Sequence, residues 1–270
     1  MIGLGVSFIE FVLATFIPID VGMPLLVALS NRAELDTRYL SAYALDLFFW
    51  FFFDTLNDAV QLEANEGYNF DSAHVGLVVL FIIGFLVFAL VGGKLLPKVS
   101  PNAKSSPLPL AIVVALALGC HGIGEGIEFG GLAAGTQATN VLDAIGGLGG
   151  GVGYFLHKFL ESMIVIVVFI ALSRASGQSF RRQLSQTAMV GLAFGIPSAV
   201  GEVAGYLVPI DSTWFYALGT GAALFVVLQV IRPIFTGRES EIAHSQWVKI
   251  SVAMVLGFLL LYAAALFHSS

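Results

Sequence analysis

The sequence predicts an all-α integral membrane protein. Of its 270 residues, 57% are hydrophobic and only 11% are charged, and the mean hydropathy is +0.91, unlike that of soluble globular domains. A helix needs about 20 apolar residues to cross a bilayer. Eight stretches meet this length and form one predicted membrane domain over residues 1–270. Their approximate limits are 3–29, 39–63, 73–93, 108–135, 149–173, 185–208, 213–231 and 246–268.

The basic residues predict how the helices are oriented. Eleven of the twelve Lys and Arg lie at the ends or in the loops that follow predicted helices 1, 3, 5 and 7, on one side of the bundle. By the positive-inside rule this side faces the cytoplasm, so both termini are expected outside. The loops on the other side carry acidic residues and no basic ones. The expected location is the plasma membrane or an inner membrane.

Composition also excludes several classes of site. Cys120 is the only cysteine, so an intramolecular disulfide cannot form. The sequence contains no basic patch that would indicate a nucleic-acid partner. Neither an H-E-x-x-H nor a G-x-S-x-G motif is present to support proteolysis.

Two histidine–glutamate pairs lie inside predicted membrane helices. His121 and Glu125 belong to the fourth stretch, and His157 and Glu161 to the fifth. Each pair is spaced i, i+4 and therefore shares one helix face. Ionisable side chains are costly at membrane depth and usually mark a site. With a rise of 1.5 Å per residue, antiparallel packing sets the two pairs at the same level.

This combination of ligands suits a borderline divalent cation. Two neutral imidazoles and two carboxylates form a nitrogen and oxygen site for Zn²⁺, Fe²⁺ or Mn²⁺, whereas calcium prefers more oxygens. The alternative is a set of structural ion pairs and hydrogen bonds between the helices. Two matched pairs favour the metal.

Five further ionisable residues could serve the same site. Glu128 could be another ligand or an entry-path carboxylate, with a solvated acid at a helix end as an equal alternative. Lys158 must pair with a carboxylate or lose its proton at this depth. Glu202 lies near the level of the pairs and could contribute from a third helix. Asp54 and Asp58 in the second stretch could line a hydrated pathway or form a polar seam between helices.

The two motifs resemble those of the Zrt/Irt-like (ZIP) family of divalent metal transporters. The run HGIGEGIEFG, which begins at His121, looks like that family's H-N-x-x-E-G-x-x-x-G, and HKFLE, which begins at His157, looks like its H-x-x-x-E. The resemblance implies eight helices in an inverted arrangement of three, two and three, with both termini outside. It also implies a metal bound by these two histidines with Glu125 and Glu161, and in many relatives a homodimer.

Two positions depart from the pattern of relatives that bind two adjacent metals. Such relatives have Asn after the first histidine and a carboxylate or amide after the second, whereas this chain has Gly122 and Lys158. The resemblance therefore implies that the Lys158 ammonium takes the place of a second metal.

The expected function is inward transport of a divalent transition metal through the site between predicted helices 4 and 5. Zn²⁺ is the first choice, with Fe²⁺ or Mn²⁺ as alternatives. The metal is cargo, so neither a catalytic cofactor nor an enzymatic activity is expected. The expected partners are the metal, the lipid bilayer and a second copy of the chain. Two other classes stay open: an intramembrane metal-dependent enzyme and a metal-free proton-coupled carrier.

The predicted orientation can be tested by cysteine accessibility. We expect a cysteine introduced at Ser105 to be shielded from a membrane-impermeant thiol reagent added outside intact cells, because the basic loops face the cytoplasm. A cysteine at Ser72 should react. The labelling pattern before and after permeabilisation gives the measurement, and the reverse pattern in intact cells would overturn the orientation.

Overall fold

A computed structural model describes residues 2–59, 72–95, 107–135 and 147–235 of the chain. These residues form seven α-helices and no strand. In chain order, the helices are α1 Leu4–Arg32, α2 Thr37–Ala59, α3 Ser72–Leu95, α4 Leu108–Gly135, α5 Gly147–Ala175, α6 Phe180–Leu207 and α7 Thr213–Phe235. They correspond to the first seven predicted stretches. The eighth, at 246–268, lies outside the described residues.

Six of the described helices are long and apolar enough to cross a membrane, namely α1 and α3 to α7. The described part of the chain is therefore that of an all-helical membrane protein, and this part of the prediction is confirmed. Helix α6 begins at Phe180 instead of near 185, because exposed Arg181 and Arg182 extend its first turn beyond the apolar segment.

Helices α4, α5 and α7 are the most buried of the six. Of their apolar segments, 67%, 72% and 67% of the residues are buried, against 17% for Val75–Gly92 in α3. Helix α3 is therefore the least buried of the six. Helix α1 packs on α5 and α6, α7 packs on α2, α3 and α4, and α2 also contacts α5. The main core includes Phe48, Leu118, Ile166 and Phe225.

Glycines bring the backbones of α4 and α6 into direct contact. A Cβ atom at Gly126 or Gly130 would collide with backbone atoms of α6. In the same way, a Cβ at Gly201 or Gly205 would collide with the backbone of α4. Both pairs have the small-xxx-small spacing that lets membrane helices approach closely. This contact fixes how α4 is rotated and therefore which of its faces is turned toward α5.

Hydrogen bonds to backbone and side-chain groups join three helices at the end of the bundle that carries Arg174. Its guanidinium donates to the carbonyl oxygens of Ser30, at 2.8 Å, and of Leu35. The Asn31 amide donates to the Gln183 side-chain oxygen at 3.1 Å. The Ser30 carbonyl, which also accepts from the Leu35 N–H, thus receives a second hydrogen bond from α5. The ends of α1, α5 and α6 are held together.

Replacement of Gly126 by alanine should destabilise the protein. Overpacking a tight contact costs about 1–3 kcal/mol, which exceeds the gain of up to about 1 kcal/mol from the higher helix propensity of alanine. Gly131→Ala is the matched control, because a Cβ there meets only the Gly205 carbonyl oxygen, at 3.9 Å. Thermal unfolding in detergent should show a lower Tm for Gly126→Ala and no decrease for Gly131→Ala. Equal Tm values for Gly126→Ala and the wild type would contradict the close contact.

Candidate metal centre

The four residues of the predicted pairs meet where α4 and α5 face each other. His121 and Glu125 come from α4, and His157 and Glu161 from α5. One ligand atom from each of the four lies within 4.8 Å of the others, so the group could hold a metal ion. The side chains are 1% to 12% exposed. The spacing i, i+4 places each pair on one helix face, and the packing of α4 on α5 brings the two faces together.

The ligand atoms converge on one small volume. Glu125 Oε1 lies 3.1 Å from Nε2 of His121 and 3.1 Å from Nε2 of His157. Glu161 Oε1 lies 3.3 Å from Nε2 of His157. Two imidazole nitrogens and two carboxylate oxygens are therefore the donors that a small divalent cation would meet. Such a mixed set is typical of zinc and of other borderline first-row metals.

Lys158 takes the remaining oxygen of each carboxylate. Its ammonium lies 2.6 Å from Glu161 Oε2 and also contacts Glu125 Oε2. Each carboxylate thus presents Oε2 to the lysine and Oε1 to the imidazoles. Lys158 is 1% exposed, and its Nζ lies 5.8 Å and 5.5 Å from the ring centroids of Tyr154 and Phe194. A buried ammonium is thereby compensated by two carboxylates and by aromatic faces.

Aromatic rings surround the histidine of α4. Phe51 of α2 meets the His121 ring edge to face, with ring centroids 4.7 Å apart and an interplanar angle of 82°. Tyr216 of α7 lies 5.1 Å from the same ring. On the α5 side, the Tyr154 hydroxyl is hydrogen-bonded to Thr15 Oγ1 at 2.9 Å. The sequence reasoning missed these aromatic neighbours, because Phe and Tyr are common throughout this apolar chain and carry no distinguishing pattern.

Glu128 and Glu202 lie outside the group of four. Glu128 is exposed, and its Oε2 accepts a hydrogen bond from the Tyr216 hydroxyl at 2.8 Å. Glu202 is fully buried, and Ser7 of α1 donates to its Oε1 at 2.7 Å. The structure thus places Glu202 against α1 and does not bring it into the cluster. Its suggested role as a ligand or pathway residue stays a prediction.

The two aspartates of α2 remain without a structural account. Asp54 and Asp58 belong to the helix Thr37–Ala59, but their side chains lie outside the part of the chain that the structure describes. Their suggested role in a pathway also stays a prediction.

The arrangement can do two things chemically. It can replace the water around a divalent cation with four protein ligands, and it can hold an ammonium beside that cation. No model of a known protein family matches the chain, and no curated protein matches its sequence. The resemblance to ZIP carriers therefore rests on the motifs that supply His121, Glu125, His157 and Glu161.

Proposed function

We propose that this protein carries a divalent transition-metal ion across the membrane toward the cytoplasm. The observation that carries the proposal is the buried cluster of two histidines and two glutamates between two central membrane helices. Zn²⁺ is the preferred cargo, with Fe²⁺ or Mn²⁺ as alternatives, because these ions accept nitrogen and oxygen ligands in a compact site.

The position of the cluster along the helix supports transport. His121 is thirteen residues from Leu108 and fourteen from Gly135, the two ends of α4. At 1.5 Å per residue it lies about 20 Å from either end. An ion bound at such a depth reaches either side only if access to the site alternates, as in secondary transporters with sites near the bilayer midplane.

The charges of the cluster support one metal per chain. Two carboxylates and the Lys158 ammonium sum to −1 while both imidazoles are neutral, and a bound divalent cation brings the sum to +1. A second divalent cation about 4 Å from the ammonium would be repelled by about 8 kcal/mol at an effective dielectric constant of about 20. Lys158 thus substitutes for the second metal and limits how tightly the first is held.

The contacts between helices support an inverted repeat. In such a repeat, α1 corresponds to α6, α2 to α7, and α4 to α5. The contact between α1 and α5 then has its counterpart in the contact between α6 and α4. In the same way, the contact between α2 and α5 has its counterpart in that between α7 and α4. Each helix also contacts its own counterpart, in the pairs α1–α6, α2–α7 and α4–α5. With an eighth helix as the counterpart of α3, the result is an arrangement of three, two and three helices.

We also propose the orientation of the protein, its membrane and its oligomeric state. Both termini lie outside in a plasma or inner membrane, and two copies of the chain form a homodimer. The metal passes through as cargo without covalent chemistry, so the protein is a carrier and not an enzyme.

Removal of one ligand should strongly reduce metal uptake. His121→Ala and Glu161→Ala should each reduce the initial rate of Zn²⁺ uptake into proteoliposomes by about 10-fold or more, because even indirect support of a metal ligand is worth about that much. His74→Ala in α3 and Glu34→Gln in the turn after α1 remove the same chemical groups elsewhere and should transport normally. The same assay with Fe²⁺ and Mn²⁺ gives the selectivity.

Two results would contradict the proposed transport site. One is unchanged uptake by His121→Ala or Glu161→Ala when the variant elutes and melts like the wild type. The other is proton flux without any metal uptake by the wild type, which would favour the metal-free carrier. Turnover of a candidate substrate without net ion flux would instead favour the intramembrane enzyme.

The role of Lys158 predicts the metal stoichiometry. Wild-type protein should bind one metal per chain, whereas Lys158→Asp should bind two or show a higher occupancy, because the substitution removes the competing charge and adds an oxygen ligand. Lys158→Asn separates these effects, since it removes the charge and adds only a neutral ligand. Elemental analysis and calorimetry of purified protein measure the stoichiometry. Lys94→Asp at the exposed end of α3 is the control, and two metals in wild-type protein would refute the role of Lys158.

A further inference from the structure

Tyr216 connects an exposed carboxylate with a buried metal ligand. Its side chain is 5% exposed, and its hydroxyl donates to Glu128 Oε2 at 2.8 Å. The tyrosine ring lies 5.1 Å from the ring of His121, with an interplanar angle of 42°. Tyr216 therefore contacts both Glu128, which lies outside the cluster, and His121, which belongs to it.

Glycines make room for this ring. A Cβ atom at Gly124 would lie 2.8 Å from two carbons of the Tyr216 ring, so the ring occupies a groove that a larger residue would fill. Gly219 lies one turn further along α7, where a Cβ would come within 2.5 Å of the His121 Cα. The close approach of α7 to α4 thus holds the tyrosine beside His121.

The ring of His121 contacts two aromatic side chains. A metal-binding histidine commonly donates its second ring nitrogen to a carboxylate, a carbonyl or water, which fixes the ring. The Nδ1 atom of His121 is buried and has no hydrogen-bond partner among the described residues. The rings of Tyr216 and Phe51 contact the His121 ring from α7 and α2. Packing against these side chains restricts how the imidazole can turn.

We propose that Tyr216 is a positioning residue for His121 and that Glu128 controls it from outside the cluster. This inference rests on the proposed transport function. A divalent cation that arrives at Glu128 competes with the Tyr216 hydroxyl for the same carboxylate. Loss of the hydrogen bond loosens the tyrosine ring and with it the orientation of His121. Entry of a cation and the geometry of the binding site are thereby coupled.

The test measures Zn²⁺ affinity by calorimetry on purified full-length protein. Tyr216→Leu, which removes the ring, should weaken binding about 10- to 100-fold, as expected for support of a metal ligand. Tyr216→Phe and Glu128→Ala, which remove the two ends of the hydrogen bond, should each weaken binding about 3- to 10-fold. The double variant should bind no more weakly than either single one. Tyr206→Phe, which loses a hydrogen bond to the Ile2 carbonyl, is the matched control.

Uptake kinetics distinguish the effect of the Glu128 charge on cation entry from the effect of Tyr216 on the orientation of His121. Glu128→Gln keeps an oxygen that can accept the tyrosine hydrogen bond but loses the charge. It should raise the KM for Zn²⁺ uptake and leave kcat and equilibrium affinity close to the wild type. Tyr216→Leu should change both affinity and kcat. An affinity loss in Glu128→Gln equal to that in Glu128→Ala would overturn the role of the hydrogen bond.

A metal-free measurement distinguishes failure of this inference from failure of the transport function. In NMR spectra of histidine-labelled protein, the His121 resonance is assigned as the one that is absent from the spectrum of His121→Ala. It should shift in Tyr216→Leu because the neighbouring ring current is lost. Wild-type protein that binds none of Zn²⁺, Fe²⁺ and Mn²⁺ would defeat the transport function. An unshifted resonance, or additive affinity losses in the double variant, would overturn the role of Tyr216 while the transport function stands.

Discussion

The cost of charge inside a bilayer is the constraint on which the rest of the structure depends. The Lys158 ammonium and the Glu161 carboxylate are buried between α4 and α5, and the Glu125 carboxylate beside them is 12% exposed. Each of these charges would be strongly unfavourable alone. Lys158 joins Glu125 and Glu161 through one oxygen of each and leaves the other oxygen facing the histidines. The pairing that makes the charges tolerable therefore also shapes the candidate metal site.

The helices around α4 determine where this pairing can form. Glycines such as Gly126 and Gly205 bring α6 against one side of α4, and Gly219 brings α7 against another. The face that carries His121 and Glu125 is left to α5 and to the aromatic rings of α2 and α7. Small residues, which have no chemistry of their own, thus orient the residues that do.

The charges of the candidate site fit the proposed carrier function. The ligands are numerous enough to replace water around a divalent ion, yet the Lys158 ammonium opposes the positive charge that they attract. Binding can then be favourable without being too tight for release, which a transported ion requires.

The sequence by itself determined the membrane class, the positions of the seven described helices and the two histidine–glutamate pairs, because hydropathy and the spacing i, i+4 are local properties. Tertiary structure alone decided that Tyr216 and Phe51 surround His121, that Lys158 divides the oxygens of both carboxylates, and that Glu202 meets Ser7 instead of the cluster. Those contacts depend on how each helix is rotated about its axis. Helices that are apolar on nearly every side encode that rotation weakly, and the close contacts at glycines settle it only when the chain is folded.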